Sequence, residues 1–313
     1  MTARHDRLEA RARVLADVRA FFDSRGYLEV ETPCLVPSPG LDVHLAAFEV
    51  ATSSKNRYLH TSPEYQMKRL LSERASRGEP SSRLYQVTRA YRRDEQGERH
   101  NPEFTILEFY RAPGAMADTM RDTEQLVAKV TGGEVRLGAR RIATRPPFAR
   151  MTVAEAFATY ADVDEEAMLE LATNDEDTFY RLLVERVEPR LALRDDAVFL
   201  THYPATQASL ARKTEHNPAF AERYELYVAG VELCNGFGEL TCEGEQRARF
   251  EKDLEQRAAL GLPLYPIDER FLEALARGLP PCSGNAIGLD RLAALANGST
   301  AIADVLAFPH DDL

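Results

Sequence analysis

The sequence predicts an α+β fold, a central antiparallel sheet flanked by helices. Three observations predict it. "SRLYQVTRAYRRDE" (82–95) and "PEFTILEFYRA" (102–112) alternate and are rich in β-formers, with a polar, charged loop between them. "RYELYVAGVELCNGFGEL" (223–240) repeats the pattern around Ala229-Gly230, a hairpin turn. Helical periodicity surrounds both pairs, and no linker, repeat or low-complexity run divides the chain, so one domain over 1–313 is expected.

Taken in order, residues 6–24 carry Leu8, Ala12, Leu15, Val18 and Phe22 on one helical face, and Gly26 fits a left-handed cap. "YLEVETPCLV" (27–36) reads as one strand, closed by Pro33 and the Pro37–Pro39 pair. "RYLHTSPEYQMKRLLSE" (57–73) reads as strand, turn and helix, with the helix start at Thr61-Ser62-Pro63-Glu64. A helix follows the first strand pair at 115–130. Residues 151–196 are helical and acidic, opened by a Thr152–Glu155 capping box. "AVFLTHYP" (197–204) is a strand, 243–259 a charged helix and "GLPLYP" (261–266) a loop. "PPCSGNAIGLDRLAAL" (280–295) reads as a glycine loop ahead of a closing helix.

Composition limits the function classes. A net charge of −11 argues against a protein built to grip nucleic acid. The basic run "RARVLADVR" (11–19) is a candidate basic patch, and a solvated helix face is the better reading of it. No apolar run approaches the roughly 20 residues of a membrane span, and the charged N-terminus has no signal-peptide core. A cytoplasmic protein without a membrane partner is expected. The four cysteines are scattered without a CxxC pair, which disfavours zinc and suits reduced thiols.

Four segments place charge where burial would make it costly. "YRRDEQGERHNPEF" (91–104) crowds Arg92, Arg93, Arg99 and His100 with Asp94, Glu95 and Glu103. Its arginines suit phosphate clamping, and an exposed hairpin loop explains the run as well. Glu225, Glu232 and Glu239 recur every seven residues, with Asn235 between the last two. Glu225 and Glu232 could converge across the hairpin to hold Mg²⁺, and a solvent-facing acidic row is the plainer alternative. In "TSPEYQMKRLL" a capped helix start explains every residue, while Glu64 also suits an ammonium group. Gly284, Gly288 and Arg291 alone are a weak nucleotide signal.

In combination the segments say more. "RGYLEVETPCL" resembles motif 1 of the class II aminoacyl-tRNA synthetases, "YRRDE…RHNPEF" resembles motif 2 and "GNAIGLDRL" motif 3. "TSPEYQMKRLL", "HNPEFTILEFY" and "ELCNGFGEL" narrow the likeness to the lysyl subgroup, over residues 25–292. The motif 1 strand begins near residue 26, after one helix, so an anticodon-binding OB domain is not expected. The whole chain resembles the free-standing paralogues of lysyl-tRNA synthetase, including "YPATQASL" and "RAALGLPLYPIDE".

That resemblance implies the class II catalytic fold, ATP and Mg²⁺ as cofactors, and activation of (R)-β-lysine as an adenylate. Transfer to a lysine ε-amine of translation elongation factor P would follow, by a homodimer formed through the motif 1 strand, with no tRNA partner. It implies catalytic roles for Arg92 and Arg291, and an ATP site of Arg92, Arg93, Asp94, Arg99, His100, Asn101, Glu232, Leu233, Gly288 and Arg291. The substrate site would comprise Ser62, Pro63, Glu64, Tyr110, Glu239 and Ala286, and the metal ligands Glu225 and Glu232. The ungapped motif 2 match sets Asp94 where the family carries Glu. A shifted match to Glu95 needs a deletion in the loop, so Asp94 is preferred. Thr241-Cys242 departs from the family's pattern at a position expected to be peripheral. Ala286 stands where lysyl-tRNA synthetases carry glycine, and one methyl group there would bias α- against β-amino placement. Two other readings remain: a truncated enzyme activating α-lysine, and an inert binding module. Ala286 argues against the first, and the retained arginines and glutamates against the second.

Overall fold

The computed structural model describes residues 3–53, 55–79, 81–208 and 210–313, with side chains from residue 5 onward. Helix α1 (Ala3–Asp23) buries Val14, Val18, Phe21 and Phe22, and Phe22 stacks on Tyr85 with centroids 4.6 Å apart. The expected apolar face is corrected at its start. Leu8 and Ala12 are exposed, because the aromatic core lies under the second half of the helix only. Gly26 follows at φ +70°.

Residues 27–36 are not one strand. Leu28–Glu29 (β1) and Leu35–Val36 (β2) are separated at Pro33, which offers no N–H to a ladder. β2 joins a small sheet with Glu49–Val50 (β3) and Arg57–Leu59 (β4). Helix α2 (Glu64–Ser76) follows, and the Ser62 hydroxyl accepts from the Glu64 N–H at 3.1 Å. β5 (Ser82–Tyr91) and β6 (Glu103–Ala112) pair antiparallel along their full length. Then come α3 (Met116–Thr131), the β7 (Glu134–Leu137) and β8 (Arg140–Ala143) hairpin, and β9 (Ala149–Thr152).

The acidic stretch folds as α4 (Val153–Tyr160), α5 (Glu165–Asn174), α6 (Glu176–Leu182) and α7 (Glu188–Ala192), opened by the expected capping box. β10 (Val198–Thr201), β11 (Arg223–Val228) and β12 (Val231–Gly238) follow. Ala229 and Gly230 turn at φ +53° and +76°, as a tight hairpin requires. The chain closes with α8 (Glu243–Ala259), α9 (Glu269–Gly278), β13 (Ser283–Gly288) and α10 (Leu289–Ala296).

The main sheet has eight strands in the order β1-β5-β6-β13-β12-β11-β10-β9. Its inner pairs are antiparallel, whereas the outer pairs, β1 with β5 and β9 with β10, are parallel. Two findings depart from the sequence reading. Residues 283–288 form a strand at the sheet centre instead of a loop, because Gly284, Ala286 and Gly288 hide the alternation that marks strands. Helix α9 is an addition, although Phe271, Leu272 and Leu275 carry its helical spacing.

One face of the sheet is sealed by α1, α3 and α10 over a core that includes Phe22, Phe109, Leu126 and Leu292. On the other face, α2, α8 and α9 gather one cluster around Tyr65, Phe250 and Phe271, beside β5 and β6. Helices α4–α7 gather another around Phe157, Phe179 and Tyr227, beside β10 and β11. Between these two covers the middle strands lie open, and that gap is the cleft. The basic run of α1 supplies structure: Arg11 lies 2.5 Å from buried Asp290, which also accepts from the Thr105 N–H at 2.7 Å. These bonds fix the entry to α10, from which Arg291 projects. Among the described residues no helix is long and apolar enough to cross a membrane.

Candidate active site

β13 is the floor of the cleft. Residues 284, 286 and 288 share one of its faces, opposite Tyr110, Glu108 and Ile106 of β6 respectively. A Cβ on Gly284 would lie 2.3 Å from the Tyr110 ring and 2.5 Å from Glu239 Oε1. A Cβ on Gly288 would meet Arg291 at 3.2 Å. The three positions therefore run from an acidic end, past Ala286, to an arginine end.

A bulge in β12 completes the floor. Leu226 faces Cys234 and Tyr227 faces Glu232, so Leu233 has no partner in the register. An extra residue flips the alternation, which puts Glu232, Asn235, Glu225 and Tyr227 on the cleft side together. Leu233 packs in the core and also borders the arginine pocket.

At the arginine end, Arg92, Arg99, His100, Asn101, Glu232, Gly288 and Arg291 surround one pocket. Arg291 is held by the carbonyls of Arg99 and Glu232 at 3.3 and 2.8 Å, and it donates to His100 Nε2 at 2.8 Å. Burial first, then the charge of Arg291, lowers the His100 pKa, so a neutral imidazole receives that bond. Arg92 lies over the Phe104 ring and pairs with Glu95 at 3.2 Å. Arg93 and Asp94 pair with each other on the exposed side of the loop, at 3.0 Å, and Glu95 takes the pocket position. The turn closed by Gly97 and His100 sets this register, which an ungapped comparison does not register.

At the acidic end a cavity of about 770 Å³ is lined by Ser62, Glu64, Asn235, Phe237 and Ala286 among others. Arg92, Ile106, Asn235 and Ala286 line both this cavity and the arginine pocket, so the two are joined. Pro63 sits behind the wall, at the helix entry. On the same face as the floor residues lie Glu108, Tyr110 and Glu239, all buried. Glu108 accepts from Ser62 at 2.7 Å and from Tyr110 at 2.5 Å. Lys68 Nζ stands 2.5 Å from Glu64 and 2.6 Å from Glu239. Burial raises the Glu239 pKa to about 8, with Lys68 opposing, and burial with the charge of Glu64 raises Glu108 to about 7. Glu108 and Lys68 escape a sequence reading because they sit inside a strand and a helix whose other residues explain themselves as packing. Asn235 carries a buried side-chain oxygen without a partner at the junction.

Glu225 and Glu232 test the site for a divalent ion. Glu225 accepts from Arg223 on one oxygen and from Tyr203 and Tyr227 on the other. Glu232 has its pKa raised to about 7 by burial and then by Glu225, against the pull of Arg291, Arg223 and Arg92. Two oxygen donors with surplus negative charge fit Mg²⁺, which takes one or two carboxylates and completes its shell with phosphate and water. Among the described residues no three His, Cys, Asp or Glu gather as a metal site.

Comparison with known proteins gives the same direction. The family model "tRNA synthetases class II (D, K and N)" matches residues 2–312. The elongation factor P–(R)-β-lysine ligase of Proteus mirabilis is 42% identical over 322 residues, covering 96% of this chain and 93% of its own. The protein of the same name from Hamiltonella defensa is 42% identical with the same coverage. That from Salmonella paratyphi B is 42% identical, over 96% and 94%.

Gly284→Ala is expected to destabilise the fold by about 1–3 kcal/mol, the scale of an overpacked core. Urea unfolding measures it, and an unchanged midpoint would show that Tyr110 and Glu239 give way freely.

Proposed function

The chain belongs to the class II tRNA synthetases of the D, K and N type, and from that premise we propose that it activates (R)-β-lysine with ATP and joins it to elongation factor P. The observation that carries this reading is the joining of an arginine-lined pocket to an acidic cavity through Arg92, Ile106, Asn235 and Ala286. A nucleotide and a diamino acid placed in the two halves would meet over Ala286. Relatives at 42% identity over nearly the full chain bear the matching name.

In the first step a carboxylate oxygen of β-lysine attacks the α-phosphorus of ATP and pyrophosphate leaves. In the second, the ε-amine of a lysine on the partner attacks the acyl carbon; AMP departs and the amine proton goes to solvent. Arg92 lies where both halves join, so its guanidinium neutralises the carboxylate and the α-phosphate together. Arg291, Arg99 and His100 hold the far phosphates or the base, and Asn101 and the Gly288 backbone border them. Mg²⁺ held by Glu232 and Glu225 would draw charge from the departing pyrophosphate. Ser62 and Glu64 take the amino group nearer the carboxylate. The distal ammonium group exchanges for the hydroxyl bonds that Glu108 receives, between Glu239 and Tyr110. No covalent enzyme intermediate is needed, since orientation and charge stabilisation drive an in-line displacement. The exposed leucines of β1 and β2, Leu28 at 50% and Leu35 at 45%, support a two-fold dimer through this edge.

ATP–pyrophosphate exchange tests the reading. Exchange with (R)-β-lysine should exceed exchange with α-lysine; the reverse order contradicts it, and exchange with neither points to an inert module. The Ala286 methyl group, at the junction of the two halves, selects between α- and β-amino placement. Ala286→Gly should therefore shift preference toward α-lysine by about 5- to 150-fold, the worth of about 1–3 kcal/mol, and unchanged selectivity contradicts this. Acidity gives a third expectation. Carboxyls with raised pKa values keep their protons below those values, and an ammonium group needs them ionised. Glu108 and Glu239, faced by Glu64, Lys68 and Tyr110, reach about 7 and about 8. The KM for (R)-β-lysine should accordingly fall by about tenfold as pH rises from 6 to 8. Initial rates across that range check it, and a flat KM would contradict the assignment.

A further inference from the structure

A buried cation of the protein's own stands behind Glu64 in the wall of the amino-acid cavity. Lys68 lies one helical turn after Glu64, and its side chain is 0% exposed. Burial alone would strip its proton. Glu239 and Glu64 hold the proton in place and push the pKa above the ordinary lysine value. The third carboxylate, Glu108, receives only the neutral donors Ser62 and Tyr110. Arg212, which feels the charge of Glu239, is committed to Glu222 through two bonds of 2.9 and 2.7 Å. Glu64 at the cavity wall and buried Glu239 thus share one ammonium group, while buried Glu108 has neutral donors alone. Full ionisation would leave two negative charges unbalanced, a cost that a ligand with two ammonium groups removes.

Lys68 also fixes where those groups go. Its single ammonium group bridges one oxygen of Glu64 and one of Glu239, and so holds the two carboxylates side by side. The other oxygen of Glu239 faces the space above Gly284, 2.5 Å from where a Cβ would sit. That space is kept clear by the glycine. The Lys68 ammonium also lies 5.9 Å from the Phe271 ring centre, so the lysine is packed as well as paired.

We propose that Lys68 is a positioning residue for substrate selection, bridging Glu64 and Glu239 at a set separation so that the cavity takes amino acids with a second ammonium group and rejects those without it. This rests on the reading that the cavity binds a diamino acid. Lys68 contacts neither the ligand nor the reacting atoms, and it acts through the two carboxylates.

The test uses ATP–pyrophosphate exchange by the full chain with (R)-β-lysine and with (R)-3-aminohexanoate, which lacks the second amine. The wild type should strongly prefer the diamine. Lys68→Ala should lower that preference by roughly 30-fold, the scale of hydrogen bonds to charged groups, through KM for β-lysine more than through kcat. Added ethylammonium should restore the preference, and ethanol should not. Restoration by both compounds alike would reduce Lys68 to packing and overturn the proposal, as would an unchanged preference. If Lys68→Ala does not fold, Lys68→Arg should keep the preference and Lys68→Gln lose it, and equal loss in both overturns the proposal. A wild type that activates neither compound overturns the functional reading and this proposal together. A wild type that prefers β-lysine beside unaltered variants overturns the role of Lys68 alone.

Discussion

Two buried carboxylates and a third at the cavity wall, gathered around one buried ammonium group, are the constraint on which the rest of this molecule turns. Glu64, Glu108 and Glu239 come from a helix start, a central strand and the end of another strand, and they meet around Lys68. Buried charge is tolerated only when paired or used. Pairing here is incomplete, and burial raises all three carboxyls. The fold therefore stores a demand for positive charge beneath a cavity. The rigid surroundings, with Tyr65 stacked on Phe271 at 4.6 Å and Tyr110 packed over Gly284, keep water from answering that demand cheaply.

The cleft follows from where the sheet is left bare. Two helical covers occupy the ends of one face, and the middle strands between them carry side chains that point at a ligand. Small residues on β13 make the floor low, while the bulge at Leu233 turns Glu232 and Asn235 to the same side. A regular strand would have set them on opposite faces. Chemistry at the two ends differs for a simple reason: α10 delivers Arg291 at one, and α2 delivers Glu64 and Lys68 at the other. Arg92 and Ala286 are the residues that both ends share.

Much of this was legible in the sequence, because the two hairpins, the helix caps and the ordered motifs each carry a local signal. The alternation of 82–91 and 103–112 marks a strand pair whose register the structure keeps along its whole length. What escaped did so for physical reasons. The strand at 283–288 lacks large side chains on its cleft face, so its periodicity is silent. The break at Pro33 depends on which partner strand is available. That Glu95 lines the arginine pocket depends on the loop conformation around Gly97, which residue order does not encode. Glu108 and Lys68 look like incidental polar positions until neighbouring elements bring their charges together. The apolar face of α1 was misplaced because helical spacing does not say which half of a helix meets a core.

The account's central claim is that one floor strand orders the ligand from an acidic end to an arginine end. The most direct measurement is a crystal structure with an unreactive adenylate analogue of (R)-β-lysine. The account predicts one ammonium group at Glu64 and Ser62, the other between Glu108 and Glu239, and the acyl-phosphate link above Ala286 beside Arg92. A distal ammonium group left in solvent, or an adenylate lying in the opposite direction, would contradict it.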